Sequence, residues 1–135
     1  MSEEKKIKVV LLEPGKLART AEIGTSIEDL QNAVDGLIEP FYPFEEQVCI
    51  VCNDEGKING MLPNRSVKNK DGVMVDFIFG PAFICDCRGE SFDSLSDEQI
   101  ARYTKMFRYP EHLARLNGKL IGCLLYTSPS PRDRQ

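Results

Sequence analysis

The stretches of this chain that read as strands follow one another too closely for parallel pairing. A β-branched apolar run at 7–12 leads through Glu13-Pro14-Gly15-Lys16 into a weakly alternating run at 17–23, which predicts a hairpin. Runs at 37–44 and 47–53 are parted only by the residues around Pro43, which cannot donate to a central ladder, and runs at 73–79 and 82–87 are parted by Gly80-Pro81. Parallel neighbours need a crossover of about a dozen residues or more. The predicted architecture is therefore α+β: a mainly antiparallel sheet with two or three helices packed on one face.

Two helices are announced by their caps. Ser26 precedes Ile27, Leu30, Ala33 and Val34 at helical spacing, with Asp29 where a capping box wants an acid and Gly36 where a glycine stop belongs. Ser96 with Gln99, and Leu95 with Ile100, form a capping box and staple for a second helix. That helix carries Ile100, Tyr103 and Phe107 on one face and stops near Arg108, because Tyr109 precedes Pro110. Residues 111–116 are expected to add another helical turn or two. Residues 54–72, interrupted by Gly56, Gly60, Pro63, Asn64, Asn69 and Gly72, read as one long connection, and connections of that length are usually functional or mobile.

The 135 residues suit one domain. Residues 123–133 match the in-frame translation of a transposase-type sequencing adapter, so 123–135 are expected to be a non-native, disordered tail, and the single domain is read as 1–122. No apolar run approaches the roughly 18–20 residues of a membrane span, and the charged start lacks the apolar core of a signal peptide. A soluble protein of a bacterial cytoplasm is expected, with no membrane partner. Seventeen basic against twenty-one acidic residues give a charge of -4, which argues against bulk nucleic-acid binding but leaves room for a local basic site.

Cys49, Cys52, Cys85 and Cys87 look at first like four thiolates for zinc. Cys49 and Cys52, however, sit within a strand-like run, where positions three apart point to opposite faces. They are read as reduced, buried or half-buried thiols, with no metal and no cofactor. His112 is the sole histidine, a thin basis for a nucleophile–base scheme. Glu45-Glu46, Asp54-Glu55 and Asp97-Glu98 are better explained as solvated charge. No phosphate loop, dinucleotide fingerprint or nucleophile elbow is present. No catalytic residue is assigned, and a non-enzymatic protein is expected.

Charge is unevenly placed. Lys57, Arg65, Lys68 and Lys70 face only Asp71 between residues 57 and 72, whereas residues 86–98 hold five acids and Arg88. Within the basic segment, Lys57, Asn59, Asn64 and Arg65 combine backbone N–H groups, amides and a guanidinium, the groups that hold phosphate or carboxylate oxygens. Tyr42 and Phe79, or Phe44 and Phe83, offer a face on which a base could stack. The predicted ligand-binding set is Lys57, Asn59, Asn64, Arg65, Tyr42 and Phe79.

At these same residues the chain resembles a family of small domains carried by bacteriophages, plasmids and integrative elements, domain of unknown function 3846. The likeness rests on residues 10–16 (VLLEPGK), 38–44 (IEPFYPF), 51–60 (VCNDEGKING) and 62–65 (LPNR), with 76–84 and 95–99 in support. Met61 departs from the pattern. The resemblance spans roughly residues 7–107 and implies mobile-element context and an α+β fold, with no activity attached.

That context frames the functional expectation: an accessory, counter-defence protein that sequesters a nucleotide-type immune signal, working as a homo-oligomer. The alternatives are a protein-binding inhibitor of a host defence enzyme acting through the acidic 86–98 stretch, a hydrolase of the signal, and a regulatory factor of the mobile element.

Overall fold

The computed structural model describes residues 5–56 and 59–124. The chain opens with the expected hairpin, β1 (Lys6–Leu12) and β2 (Arg19–Gly24), paired antiparallel from Lys6↔Gly24 to Leu11↔Arg19. Helix α1 (Ile27–Val34) follows, then β3 (Ile38–Phe41), β4 (Val48–Asn53), β5 (Pro63–Lys68), β6 (Met74–Phe79), β7 (Ala82–Asp86), helix α2 (Asp97–Met106), β8 (Glu111–Leu116) and β9 (Lys119–Leu124). Five strands form one antiparallel sheet in the order β2-β1-β7-β4-β3, while β5-β6 and β8-β9 form separate antiparallel pairs. The α+β class and the mainly antiparallel pairing are as the spacing predicts.

The placement of the helices is not. On the three central strands alternate residues enter two different cores. Val10, Leu12, Val48, Ile50, Ala82 and Ile84 pack with Tyr103 and Phe107 from the second helix region, together with Val67 and Ile78 of the β5-β6 hairpin. Ile7, Val9, Cys49, Val51, Phe83 and Cys85 pack instead with Leu30 and Val34 of α1. Side chains alternate between faces along a strand, so α1 and α2 lie on opposite faces of the sheet rather than on one. This double coverage explains why β1, β4 and β7 read as near-continuous apolar runs.

Both N-caps form as expected. The Ser26 side chain accepts from Asp29 N, and Ser96 and Gln99 close a full capping box. At the end of α1 the left-handed residue is Asp35, with φ 64°, and not Gly36. Glycine is required at 36 for another reason: a Cβ there would stand 2.5 Å from Asn53 Nδ2. That amide donates to Val34 O and Asp35 O, tying off the helix. Two expectations are corrected. The supposed connection at 54–72 contains β5, and residues 111–116 form β8, whose pairing with β9 runs to Glu111↔Leu124 and so includes Cys123. The rest of the expected tail, 125–135, lies outside the described residues. No described helix is long and apolar enough to cross a membrane.

Candidate functional site

The structure separates the residues that the sequence grouped into one site. Arg65 is fully buried, and all of its donor groups face protein oxygens. Its Nε donates to Phe107 O at 2.6 Å, Nη1 to Glu13 O at 3.2 Å and Asn64 Oδ1 at 2.5 Å, and Nη2 to Lys16 O at 2.6 Å and Arg108 O at 3.3 Å. Five bonds match the five donors of a guanidinium. Burial lowers its pKa to about 10, so it stays charged at neutral pH. Asn64 is also fully buried, donating to Leu12 O at 2.9 Å and Gly80 O at 2.8 Å. Together they bolt β5 to the β1-β2 turn and to the end of α2.

The remaining four are dispersed. Asn59 is exposed in a turn, with its backbone N–H on Glu55 O at 2.8 Å. Tyr42 is exposed beyond the end of β3. Phe79 is half-buried against Phe77, ring centroids 5.4 Å apart, and borders a small hollow of about 250 Å³ with Glu39, Phe41, Asp54 and Asp76. Lys57 lies outside the described residues.

A larger hollow of about 750 Å³ opens between α2, β5 with the β5-β6 turn, and the 43–46 segment that follows β3. Its size falls in the range of ordinary small-ligand sites. Phe44, Tyr103 and Phe107 line it: Phe44 lies 4.8 Å from Tyr103 and 6.3 Å from Phe107, centroid to centroid. Arg102, Tyr103 and Met106 reach it from α2 because residues three and four apart share a helix face. Lys68 and Lys70 reach it from the basic segment.

Each cation has a neighbour that fixes it. Lys68 Nζ donates to Ser66 Oγ at 2.9 Å, and that hydroxyl donates in turn to Glu111 Oε1 at 2.6 Å. Lys70 pairs with Glu45 at 3.1 Å, both side chains being largely exposed. Glu46 is gripped by Arg102, the Tyr103 hydroxyl and Gln99 Nε2. The Tyr103 hydroxyl above all, helped by Gln99 and Arg102, holds the Glu46 carboxyl below the usual carboxylate range, while burial beside Glu46 raises the Tyr103 phenol. Three donors from one helix thus converge on the chain's own Glu46 carboxylate, with aromatic rings beside it.

The sequence model of the domain of unknown function DUF3846 matches residues 7–108, from the first strand to just past α2. The chain belongs to that family. No curated protein and no solved structure matches it. The DUF3846 region contains β1 from Ile7 onward, β2 to β7 and both helices, hence both the Arg65 bolt and, Glu111 apart, the lining of the larger hollow. Of that lining, the sequence offers Phe44 as a stacking ring and Lys68 and Lys70 in the basic segment, but it reads Glu46 only as solvated charge and gives Arg102 no role. The one available signal was helical spacing, which places Gln99, Arg102, Tyr103 and Met106 on a common stripe.

Cys49 and Cys52 do point to opposite faces, the first into the α1 core and the second toward the α2 core. Among the described residues no cluster of three or more potential ligands is arranged to hold a metal ion.

Proposed function

We propose that this protein is a non-enzymatic binder that sequesters a nucleotide-type signalling molecule in the hollow beside α2, in the service of a phage or other mobile element against host defence. The observation that carries the reading is the meeting of three cations, Lys68, Lys70 and Arg102, with Phe44 and the edges of the mostly buried Tyr103 and Phe107 around one concavity of about 750 Å³. Glu45, Glu46 and Glu111 also line its wall, and a phosphate would compete with them for the cations. Phosphates suit the cations and a base suits the rings. The site differs from the one the sequence indicated, since Asn64 and Arg65 serve the fold, but the basic segment still supplies two of its cations.

Calorimetry against cyclic dinucleotides and ADP-ribose derivatives tests the reading. Binding is expected for at least one of them, weakened about 10-fold by Arg102→Ala or Lys68→Ala, a loss of about 1.4 kcal/mol. Ligand recovered intact after denaturation separates a sponge from a hydrolase, and no binding by any of them discards the proposal. The acidic-inhibitor alternative has less to stand on. Within residues 86–98, Asp86 is buried against Arg88 at 2.8 Å, Asp93 pairs with Lys5 at 3.2 Å, and Lys8 lies 3.9 Å from Asp97, so much of that charge is matched internally.

A further inference from the structure

Away from the hollow, on the α1 face of the sheet, three thiols stand together. Cys49 of β4 and Cys85 of β7 are directly opposite in the antiparallel register, and both are fully buried. Their sulfurs lie 3.8 Å apart. Cys87, two residues beyond Cys85, lies on the same face and is half-buried. Its backbone N–H on Gln47 O at 3.0 Å continues the β4-β7 ladder past the buried pair. By the alternation of an antiparallel ladder this makes Cys49 and Cys85 a hydrogen-bonded pair, whose Cα atoms stand about 5.5 Å apart, within the span a disulfide bridges. All three are free thiols.

We propose that Cys49, Cys85 and Cys87 form a thiol–disulfide exchange site for low-molecular-weight disulfides, in which Cys87 is the outer thiol and Cys49–Cys85 the disulfide finally formed. The exposure order dictates the sequence of steps, because a small disulfide can touch Cys87 before either buried sulfur. Cys87 attacks the small disulfide, forming a mixed disulfide and releasing one small thiol. Cys49 then attacks the Cys87 sulfur, forming Cys49–Cys87 and releasing the second. Cys85 displaces Cys87 from Cys49, leaving Cys49–Cys85 and a free Cys87. Each step makes one sulfur–sulfur bond and breaks one. In sum two protein thiols are oxidised, one small disulfide is reduced to two small thiols, and those thiols leave with the protons of Cys49 and Cys85.

Local electrostatics favour Cys49 as the central nucleophile. Sulfhydryl hydrogen bonds from Cys85 and, more weakly, Cys87 lower its pKa against the opposing effect of burial. Burial and the neighbouring Cys49 push Cys87 up to about 11, and the bond to Cys49 together with burial pushes Cys85 higher still, so both enter exchange through a minor thiolate fraction. Cys52, half-buried on the opposite face, has no thiol opposite it in the register and serves as an internal control.

Incubating the reduced, folded full chain with oxidised glutathione, quenching in acid, alkylating, and mapping peptides by tandem mass spectrometry tests this. A glutathione adduct on Cys87 should appear first and give way to a Cys49–Cys85 disulfide. Cys87→Ser should slow formation of that disulfide at least about 10-fold, and Cys49→Ser should leave the Cys87 adduct in place. An end product without Cys85, adducts that stop at Cys87 in the parent chain, or an unchanged rate in Cys87→Ser would each overturn the proposal. The time course in the parent chain decides the matter even where a variant fails to fold.

Discussion

The two ends of β5 carry the same kind of charge and do opposite things with it. Arg65, near its start, is fully buried and donates to the backbone of Glu13, Lys16, Phe107 and Arg108. Lys68, at its end, is exposed on the rim of the hollow with Ser66 as its hydrogen-bond partner. Only two residues separate them. A guanidinium can be buried because its planar donors meet five carbonyl-type oxygens at once, whereas an ammonium is a compact, strongly hydrated charge that a dry core accommodates badly. Residue type thus decided which cation became structure and which stayed at the exposed rim of the hollow. The larger lesson is that a basic segment is not one functional unit.

The most severe way to break that contrast is to remove the inner cation. Arg65→Ala leaves four backbone carbonyls and Asn64 Oδ1 without their donor in a buried setting, and should cost about 4 kcal/mol. Chemical denaturation reads this as a lower midpoint with little change in slope. Arg65→Lys should recover only a small part, since one ammonium cannot reach both the β1-β2 turn and the end of α2. Asn64→Ala comes next, at about 2 kcal/mol, because it frees Leu12 O and Gly80 O.

These magnitudes bear on what the sequence could disclose. The first hairpin and both helix starts are legible because their signals are local: Pro14-Gly15 in the turn, Ser26 before α1, and Ser96 with Gln99 before α2. β5 is not legible. Pro63, Asn64, Arg65 and Ser66 are poor strand formers, and their burial depends on partners 42 to 52 residues away, such as Phe107 O for Arg65 and Leu12 O for Asn64. β8 misleads in the other direction, since Glu, Leu, Ala and Arg favour helix and only pairing with β9 overrides them. The hollow was hidden for a related reason. Its lining comes from three separated stretches around residues 43–46, 66–72 and 102–111, and no single one of them looks like a site.

A milder test concerns the grip on Glu46. Tyr103→Phe removes the hydroxyl that contributes most to lowering the Glu46 pKa, and should cost about 1.5 kcal/mol at neutral pH. The sign with pH follows from that depressed pKa. Above the ordinary glutamate value of about 4.3 the ionised carboxylate contributes stability, and this contribution disappears as pH falls through its lower folded-state value. Glu46→Gln should therefore be less stable than the parent chain at neutral pH, with the gap closing in acid. A gap that persists at low pH would mean that Glu46 acts through packing rather than through its charge.

The gentlest perturbation sharpens the contrast most. Lys70 and Glu45 are paired at 3.1 Å with side chains 80% and 85% exposed, and exposed pairs of this kind contribute little. Lys70→Ala should change stability by less than about 0.5 kcal/mol, which thermal unfolding resolves against the large loss at Arg65. Its effect on ligand should run the other way, with affinity for a phosphate-bearing probe falling and the salt dependence of binding becoming shallower as one cation leaves the rim. If Lys70→Ala instead destabilises the chain as Asn64→Ala does, the outer end of the basic segment also belongs to the scaffold. The division between a buried structural half of β5 and an exposed half at the rim of the hollow would then be lost.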